Sequence, residues 1–279
     1  MLYLILAIAS SALVSITMRL SEKHITNQMA MFMANYVVCI ALSAAFMDWQ
    51  TTAAIGTGIV SVVALGIING ILYLVGFVFL KYNMLHNGMV LPSTFMKLGV
   101  LIPTIMAVVV FHETPKWTQS LGICVAIIAI VVIHFEKDAL KEGNKKIWLI
   151  LLLFISGITD SMANVYEQVG IPEGKDGFLL VTFFIAFMLA TIFALIGKNK
   201  ISRKDLLFGM LIGIPNYFSA RFLLLALGSV DAVLAYPMYS AATIVVISIA
   251  GVLAFREKLS KKKIGALAMI VAAVCLLNM

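Results

Sequence analysis

Ten apolar runs divide the chain, at residues 2–20, 29–47, 57–80, 88–111, 117–134, 147–166, 177–196, 205–227, 231–255 and 264–277, with polar stretches between them. About twenty residues at roughly 1.5 Å rise cover the roughly 30 Å hydrocarbon core of a bilayer, so runs of this length read as membrane-crossing helices. Apolar and polar residues do not alternate within them, which excludes a porin-like barrel. The connections are mostly four to eleven residues and leave no room for a soluble domain. The first run lacks the basic start and small-residue cleavage site of a signal peptide and is read as a membrane helix. The pattern predicts an all-α integral membrane protein with ten transmembrane helices.

Charge sharpens this picture. Only 12% of the 279 residues are charged and 62% are hydrophobic, whereas a soluble domain carries about 25% charged residues. The formal net charge of +7 does not point to nucleic acid, because the cations lie in short loops where they act as topology signals. Sixteen of the twenty Lys and Arg fall in the alternating loops on one side, Lys116 and Lys175 fall on the other, and Lys97 and Arg221 lie within runs. The positive-inside rule makes the sixteen-charge side cytoplasmic and puts both termini outside the plasma or inner membrane. Cys39, Cys124 and Cys275 sit in apolar runs without motif spacing, which reads as core filling rather than disulfide, metal or nucleophile chemistry.

The two halves of the chain resemble each other. GIIN at 66–69 matches GIPN at 213–216, and Pro92 followed by Phe111-His112-Glu113 matches Pro237 followed by Phe255-Arg256-Glu257; Gly122 and Gly265 come soon after. Five runs per half is an odd number, so the second copy enters the membrane the other way up: an inverted repeat, typical of secondary transporters. The domains expected are a first five-helix repeat at 1–135, a charged cytoplasmic connector at 136–146 and a second, inverted repeat at 147–279. With these features the whole chain resembles the EamA-like members of the drug/metabolite transporter superfamily. Met96-Lys97-Leu98 is further similar to the nucleotide-sugar and sugar-phosphate carriers of that superfamily, in which a fourth-span lysine meets substrate phosphate; the tyrosine–glutamine pattern of those carriers is absent, so only Lys97 is carried over. Many ten-span relatives keep both termini in the cytoplasm, and the loop charges here favour the opposite.

Helical spacing gathers the intramembrane polar residues into stripes. The sixth run holds Ser156, Asp160, Asn164 and Glu167 on one face; the eighth holds Tyr217 and Arg221 four apart, with Asn216 and Ser219 beside them. Pro215 frees a carbonyl there and invites a kink. Ser11, Ser15 and Arg19 share a face in the first run, Asn69 and Tyr73 lie in the third, and Tyr236, Tyr239, Ser240 and Thr243 lie near or soon after Pro237 in the ninth. A charge at the bilayer centre costs at least about 2.5–3.5 kcal/mol on insertion scales, so Lys97, near the midplane, must face protein or a water-filled cavity. Depth places Asp160 and Arg221 together in the outer half, where they are expected as neighbours. Lys97 then faces an anionic substrate, with Arg221 as a second cation. The competing reading pairs Lys97 with Asp160 structurally and gives the cavity a largely neutral compound. The substrate-binding candidates are Lys97, Arg221, Asp160, Asn164, Tyr217, Asn216, Tyr239, Tyr73, Asn69 and Ser15.

Other residues read as structural. Glu113 and Glu257 sit at equivalent run ends and suit a helix-boundary role or a loop hydrogen bond better than proton coupling. Gly66/Gly70 and Gly209/Gly213 have the small-xxx-small spacing that lets helices approach, between repeats or in a homodimer.

No G-x-x-x-x-G-K-[ST] loop occurs, which excludes ATP-driven pumping by this chain. Neither H-E-x-x-H nor G-x-S-x-G occurs, so no enzyme, catalytic residue, metal or cofactor is expected. The expected function is a secondary active transporter moving a small polar, anionic or zwitterionic metabolite by alternating access, with proton or counter-substrate coupling. The partners expected are that small molecule, membrane lipids and, on the glycine spacing, a second copy, and not nucleic acid. The alternatives are an exporter of neutral or cationic drug-like compounds, a lipid-carrier flippase and, last, an intramembrane enzyme built on Asp160 and Glu167.

Overall fold

The computed structural model describes the chain except residues 22–23, 54, 88–94, 97, 135–145, 198–199, 256–260 and 278–279. Lys97, Pro92, Arg256, Glu257 and nearly all of the central connector therefore lie outside the described residues. Among the described residues there is no strand and there are eleven α-helices: α1 (Leu2–Ser21), α2 (Gln28–Phe46), α3 (Trp49–Ala53), α4 (Ile59–Asn87), α5 (Leu101–Val109), α6 (Trp117–His134), α7 (Lys146–Val169), α8 (Lys175–Ile196), α9 (Arg203–Leu227), α10 (Ala232–Phe255) and α11 (Lys261–Leu277). Single 3₁₀ turns, Gly56–Gly58 and Pro172–Gly174, precede α4 and α8.

Seven of these stretches are long and apolar enough to cross a membrane, and Trp117–Val132 and Ile264–Leu277 are shorter apolar helices. The expected fourth span, 88–111, is described only in part, with α5 at its end. The outward faces carry apolar groups: Leu253, Ile196 and Leu195 are 77%, 75% and 70% exposed. Large apolar surfaces of this kind are stable in lipid and not in water.

Helix starts follow local chemistry. The Asn27 side chain accepts from the backbone N–H of Met29 (3.1 Å) and Ala30 (3.2 Å) and begins α2. Ser202 and Asp205 form a capping box at α9. Asp205, a fully buried carboxylate, also accepts from Thr26 N–H at 2.8 Å and so ties the start of α9 to the segment before α2. Asp48, in the turn between α2 and α3, accepts from the Thr51 hydroxyl and the amides of Gln50 and Thr51; these bonds hold its carboxyl below the usual carboxylate range.

The chain divides into two compact units, each drawn from both ends of the sequence. Unit 1 comprises Met1–Leu74 and Val165–Gly228, and unit 2 comprises Val75–Asn164 and Ser229–Met279. In unit 1, α9 packs against both α1 and α2, and α2 packs against α8. In unit 2, α11 packs against α6 and α10, and α10 also against α5.

Glycines set the closest approaches. A Cβ on Gly213 would lie 2.6 Å from Val38 Cβ and 2.7 Å from the Asn35 carbonyl, and one on Gly209 would run into the Met31 carbonyl, so both glycines seat α9 on the α2 backbone. Gly66 and Gly70 seat α4 on Val181 and Ile185 of α8 in the same way. The small-xxx-small pairs are thus spent inside unit 1, and a homodimer draws no support from them. Gly213→Ala is expected to lower thermal stability by about 1–3 kcal/mol through overpacking. Gly265→Ala, whose Cβ would meet nothing within 4 Å, should be neutral or gain up to about 1 kcal/mol of helix propensity. Unfolding midpoints of the purified variants in detergent test the pair, and equal losses would refute the close approach.

Candidate functional site

Pro215 sits inside α9 and, lacking an N–H, cannot bond back to the Leu211 carbonyl one turn earlier. The polar side chains of α9 gather just after it. Asn216 donates Nδ2 to Asn35 Oδ1 at 3.2 Å and to Cys39 Sγ at 3.7 Å, both on α2. The Cys39 thiol in turn donates to the Gly213 carbonyl at 3.4 Å. These bonds join α2 to α9 at the level where proline weakens the ladder of α9.

One residue on, the Tyr217 hydroxyl accepts from Arg221 Nη1 at 2.9 Å, a pairing that i, i+4 spacing allows. Arg221 Nη2 donates to Asp176 Oδ2 at 3.1 Å, in the first turn of α8. The guanidinium carbon lies 5.0 Å from the centre of the Phe46 ring, at the end of α2, and 5.9 Å from that of Tyr217. The two rings stack with centroids 6.0 Å apart. Tyr217 is fully buried, whereas the Arg221 and Asp176 side chains are 20% and 23% exposed. A fixed, part-exposed guanidinium over an aromatic platform suits a planar anion such as a carboxylate, or a phosphate.

A second ion pair, Lys175 with Glu167, lies at the same end of unit 1. Gly228 packs beside it: a Cβ there would stand 3.2 Å from Glu167 Oε1 and 3.3 Å from Lys175 Nζ.

Within unit 1, Arg221 has Asp176 as a carboxylate partner, a residue the depth argument did not single out, and α8 begins beside the Arg221 turn of α9. Asp160 belongs to unit 2, where its side chain is exposed and its backbone carbonyl accepts the Tyr236 hydroxyl at 2.7 Å. The stripe of the sixth run is also divided, because Glu167 belongs to unit 1 while Ser156, Asp160 and Asn164 belong to unit 2.

Of the remaining candidates, Tyr73 and Ser15 are half-buried in unit 1, where Ser15 Oγ bonds back to the Ser11 carbonyl at 3.2 Å. Asn69, also in unit 1, donates to Thr182 Oγ1 at 3.3 Å. Asn164 is buried and Tyr239 half-buried in unit 2, and Lys97 lies outside the described residues. Asp176, Phe46, Asn35 and the Lys175–Glu167 pair were missed by the sequence reading. The available signal was Arg221 itself, a membrane-embedded cation that requires a counter-charge.

Glu113 has a structural role. Its Oε2 accepts from Val233 N–H at 2.7 Å at the start of α10, and His112, with φ 56°, turns the chain just before it. The helix-boundary expectation for Glu113 agrees with this bond.

Replacing Asn216 by Leu removes a donor from buried Asn35 and is expected to cost about 1 kcal/mol. Adding Asn35→Leu should recover part of that loss. A double-mutant cycle on unfolding midpoints reads the coupling, and strictly additive losses would show that the two amides do not interact.

Residues 144–279 match the family model of the EamA-like transporter family. An uncharacterized protein of Haemophilus influenzae is 25% identical over 274 residues, covering 92% of this chain and 91% of that one. A solved crystal structure superposes with a TM-score of 0.72 at 15% identity, over 99% of this chain and 94% of that chain; at this identity the likeness is one of fold.

Proposed function

The chain belongs to the drug/metabolite transporter superfamily, and on that premise we propose that this multi-pass membrane protein is a secondary active transporter moving a small anionic or zwitterionic metabolite by alternating access. One observation carries the substrate class: the Arg221 guanidinium lies in a membrane-spanning helix, is held from three sides, and is still part-exposed. A cation in such a place is costly and marks a substrate path by default. Tyr217 orients it and Asn216 stands one residue away. Lys97 serves as the second cation, with Asp160, Asn164, Tyr239, Tyr73, Asn69 and Ser15 as further contacts along the path.

The architecture proposed is ten spans in two inverted five-helix repeats, 1–135 and 147–279, joined by the connector 136–146. The packing supports it. In unit 2, α5 packs on α10 and α6 on α11; these pair the fourth run with the ninth and the fifth with the tenth. In unit 1, α2 packs on α8, which pairs the second run with the seventh. Matching positions of the two halves thus meet inside each unit, as expected of repeats related by a pseudo-two-fold axis in the membrane plane. The loop cations put both termini outside the plasma or inner membrane, and exchange against a proton or a counter-substrate drives transport.

The test is thermal stabilisation of the purified protein by a mixed metabolite panel, with Lys97→Ala and Arg221→Gln beside the wild type. A ligand at about 100 times its Kd stabilises by about 2.7 kcal/mol. Carboxylated or phosphorylated metabolites should raise the wild-type midpoint, and each variant should need at least about tenfold more ligand for the same shift, the loss of about 1.4 kcal/mol. Uptake of the stabilising compound into proteoliposomes then follows. Stabilisation by neutral or cationic compounds only, with the variants responding like wild type, would sink the anionic reading.

A further inference from the structure

Both members of the Arg221–Asp176 pair have somewhere else to go. Besides Asp176, Arg221 has the Tyr217 hydroxyl at 2.9 Å and the Phe46 ring at 5.0 Å, and both of these contacts are neutral. Asp176 lies in the first turn of α8, whose N-cap, Gly174, supplies no side-chain cap. A carboxylate released there still faces the positive end of the helix dipole and, at 23% exposure, can turn toward water. Lys175, next to it in sequence, is engaged by Glu167 and does not compete for it. The guanidinium is thus preset in direction by neutral groups, and Asp176 is its anionic partner among the described residues.

We infer that Asp176 is the resident counter-anion of Arg221, displaced by the anionic group of the substrate. This rests on the carrier reading above and deepens it, because it assigns a specificity-determining role to a residue that never touches the cargo. In the empty protein Asp176 neutralises the guanidinium; on binding, a carboxylate, sulfonate or phosphate takes its place; on release Asp176 returns. Three consequences follow from this exchange. The empty protein does not hold Arg221 as a bare cation. Affinity is reduced by the fraction of molecules in which Asp176 occupies the site, which favours release. Neutral compounds gain nothing at Arg221, because they cannot replace the charge they would displace.

The probe is methanesulfonate, a monoanion with constant charge near neutral pH, titrated against the unfolding midpoint of the purified full-length protein at about pH 7. If Asp176 holds the site in about nine molecules of ten, Asp176→Asn should half-saturate at about tenfold lower methanesulfonate than wild type. Asp176→Glu, which keeps the competitor, should stay near wild type. The double variant Asp176→Asn/Arg221→Gln should show only the unsaturable effect of added salt. A purely structural Asp176 predicts the opposite sign, weaker binding on loss of the carboxylate. Equal or weaker binding by Asp176→Asn, or saturable binding by none of the variants, overturns the inference. Asp176→Ser replaces the Asn variant if that one does not fold; failure of both also overturns it, since the carboxylate would then be a fold requirement. The carrier reading is judged separately, by wild-type uptake of the stabilising metabolite.

Discussion

A charge carried into hydrocarbon has to be met where it stands, and much of unit 1 is arranged to meet one. Arg221 draws its hydroxyl from its own helix, its carboxylate from the first turn of α8 and its aromatic platform from the end of α2. Three helices therefore have to hold fixed positions for a single guanidinium to be satisfied. An ion pair of this kind is poor evidence of net stability, because desolvation offsets most of the attraction, but breaking it leaves a charge uncompensated. The site constrains the packing more than it strengthens it.

The close approach of α9 and α2 supplies that constraint. In a membrane no hydrophobic force drives helices together, since lipid tails are as apolar as leucine; contact and hydrogen bonding do the work instead. Gly209 and Gly213 remove the side chains that would hold α9 away from the backbone of α2. About two turns beyond Gly209, Asn216 donates to Cys39 Sγ, and the Cys39 thiol donates to the Gly213 carbonyl, across the resulting short distance. The two features depend on each other: the amide bond needs the short distance, and the missing side chains make that distance reachable. Pro215, between Gly213 and Asn216, removes a bond from the ladder of α9 at the level where α2 supplies others.

The membrane helices were legible because a run of apolar residues is a local signal that no tertiary contact needs to correct. Glu113 was legible for a related reason: its place at a run end, after Phe111 and His112, suited a helix boundary, and it does accept the Val233 amide. Asp176 was not legible. It stands just before the run at 177–196 and so reads as loop, and its partner is 45 residues away. Spacing within one helix joined Tyr217 to Arg221, but depth carries no information about which helices adjoin, so it could not single out Asp176 as a partner of Arg221. The stripe through Ser156, Asp160, Asn164 and Glu167 was read from spacing alone. Its periodicity is real, yet α7 passes from one compact unit to the other at residues 164–165, so one helical face serves two surroundings.

Lys175 and Asp176 are consecutive, of opposite charge, and each is paired across to another helix; their surroundings separate their tasks. Lys175 meets Glu167 beside Gly228, where a Cβ would crowd both charged groups. Among the described residues, neither member lies against an aromatic platform as Arg221 does. Such a pair cancels two charges at a helix end and leaves nothing aimed at a ligand. Arg221 differs in having its plane and direction set by groups that carry no charge, so its orientation does not depend on the anion it holds. Preorganisation of that kind is what a binding group requires and a structural pair does not. The contrast explains why one cation of two neighbouring pairs is the better candidate for cargo, although both lie at the same end of the same unit with nearly the same exposure.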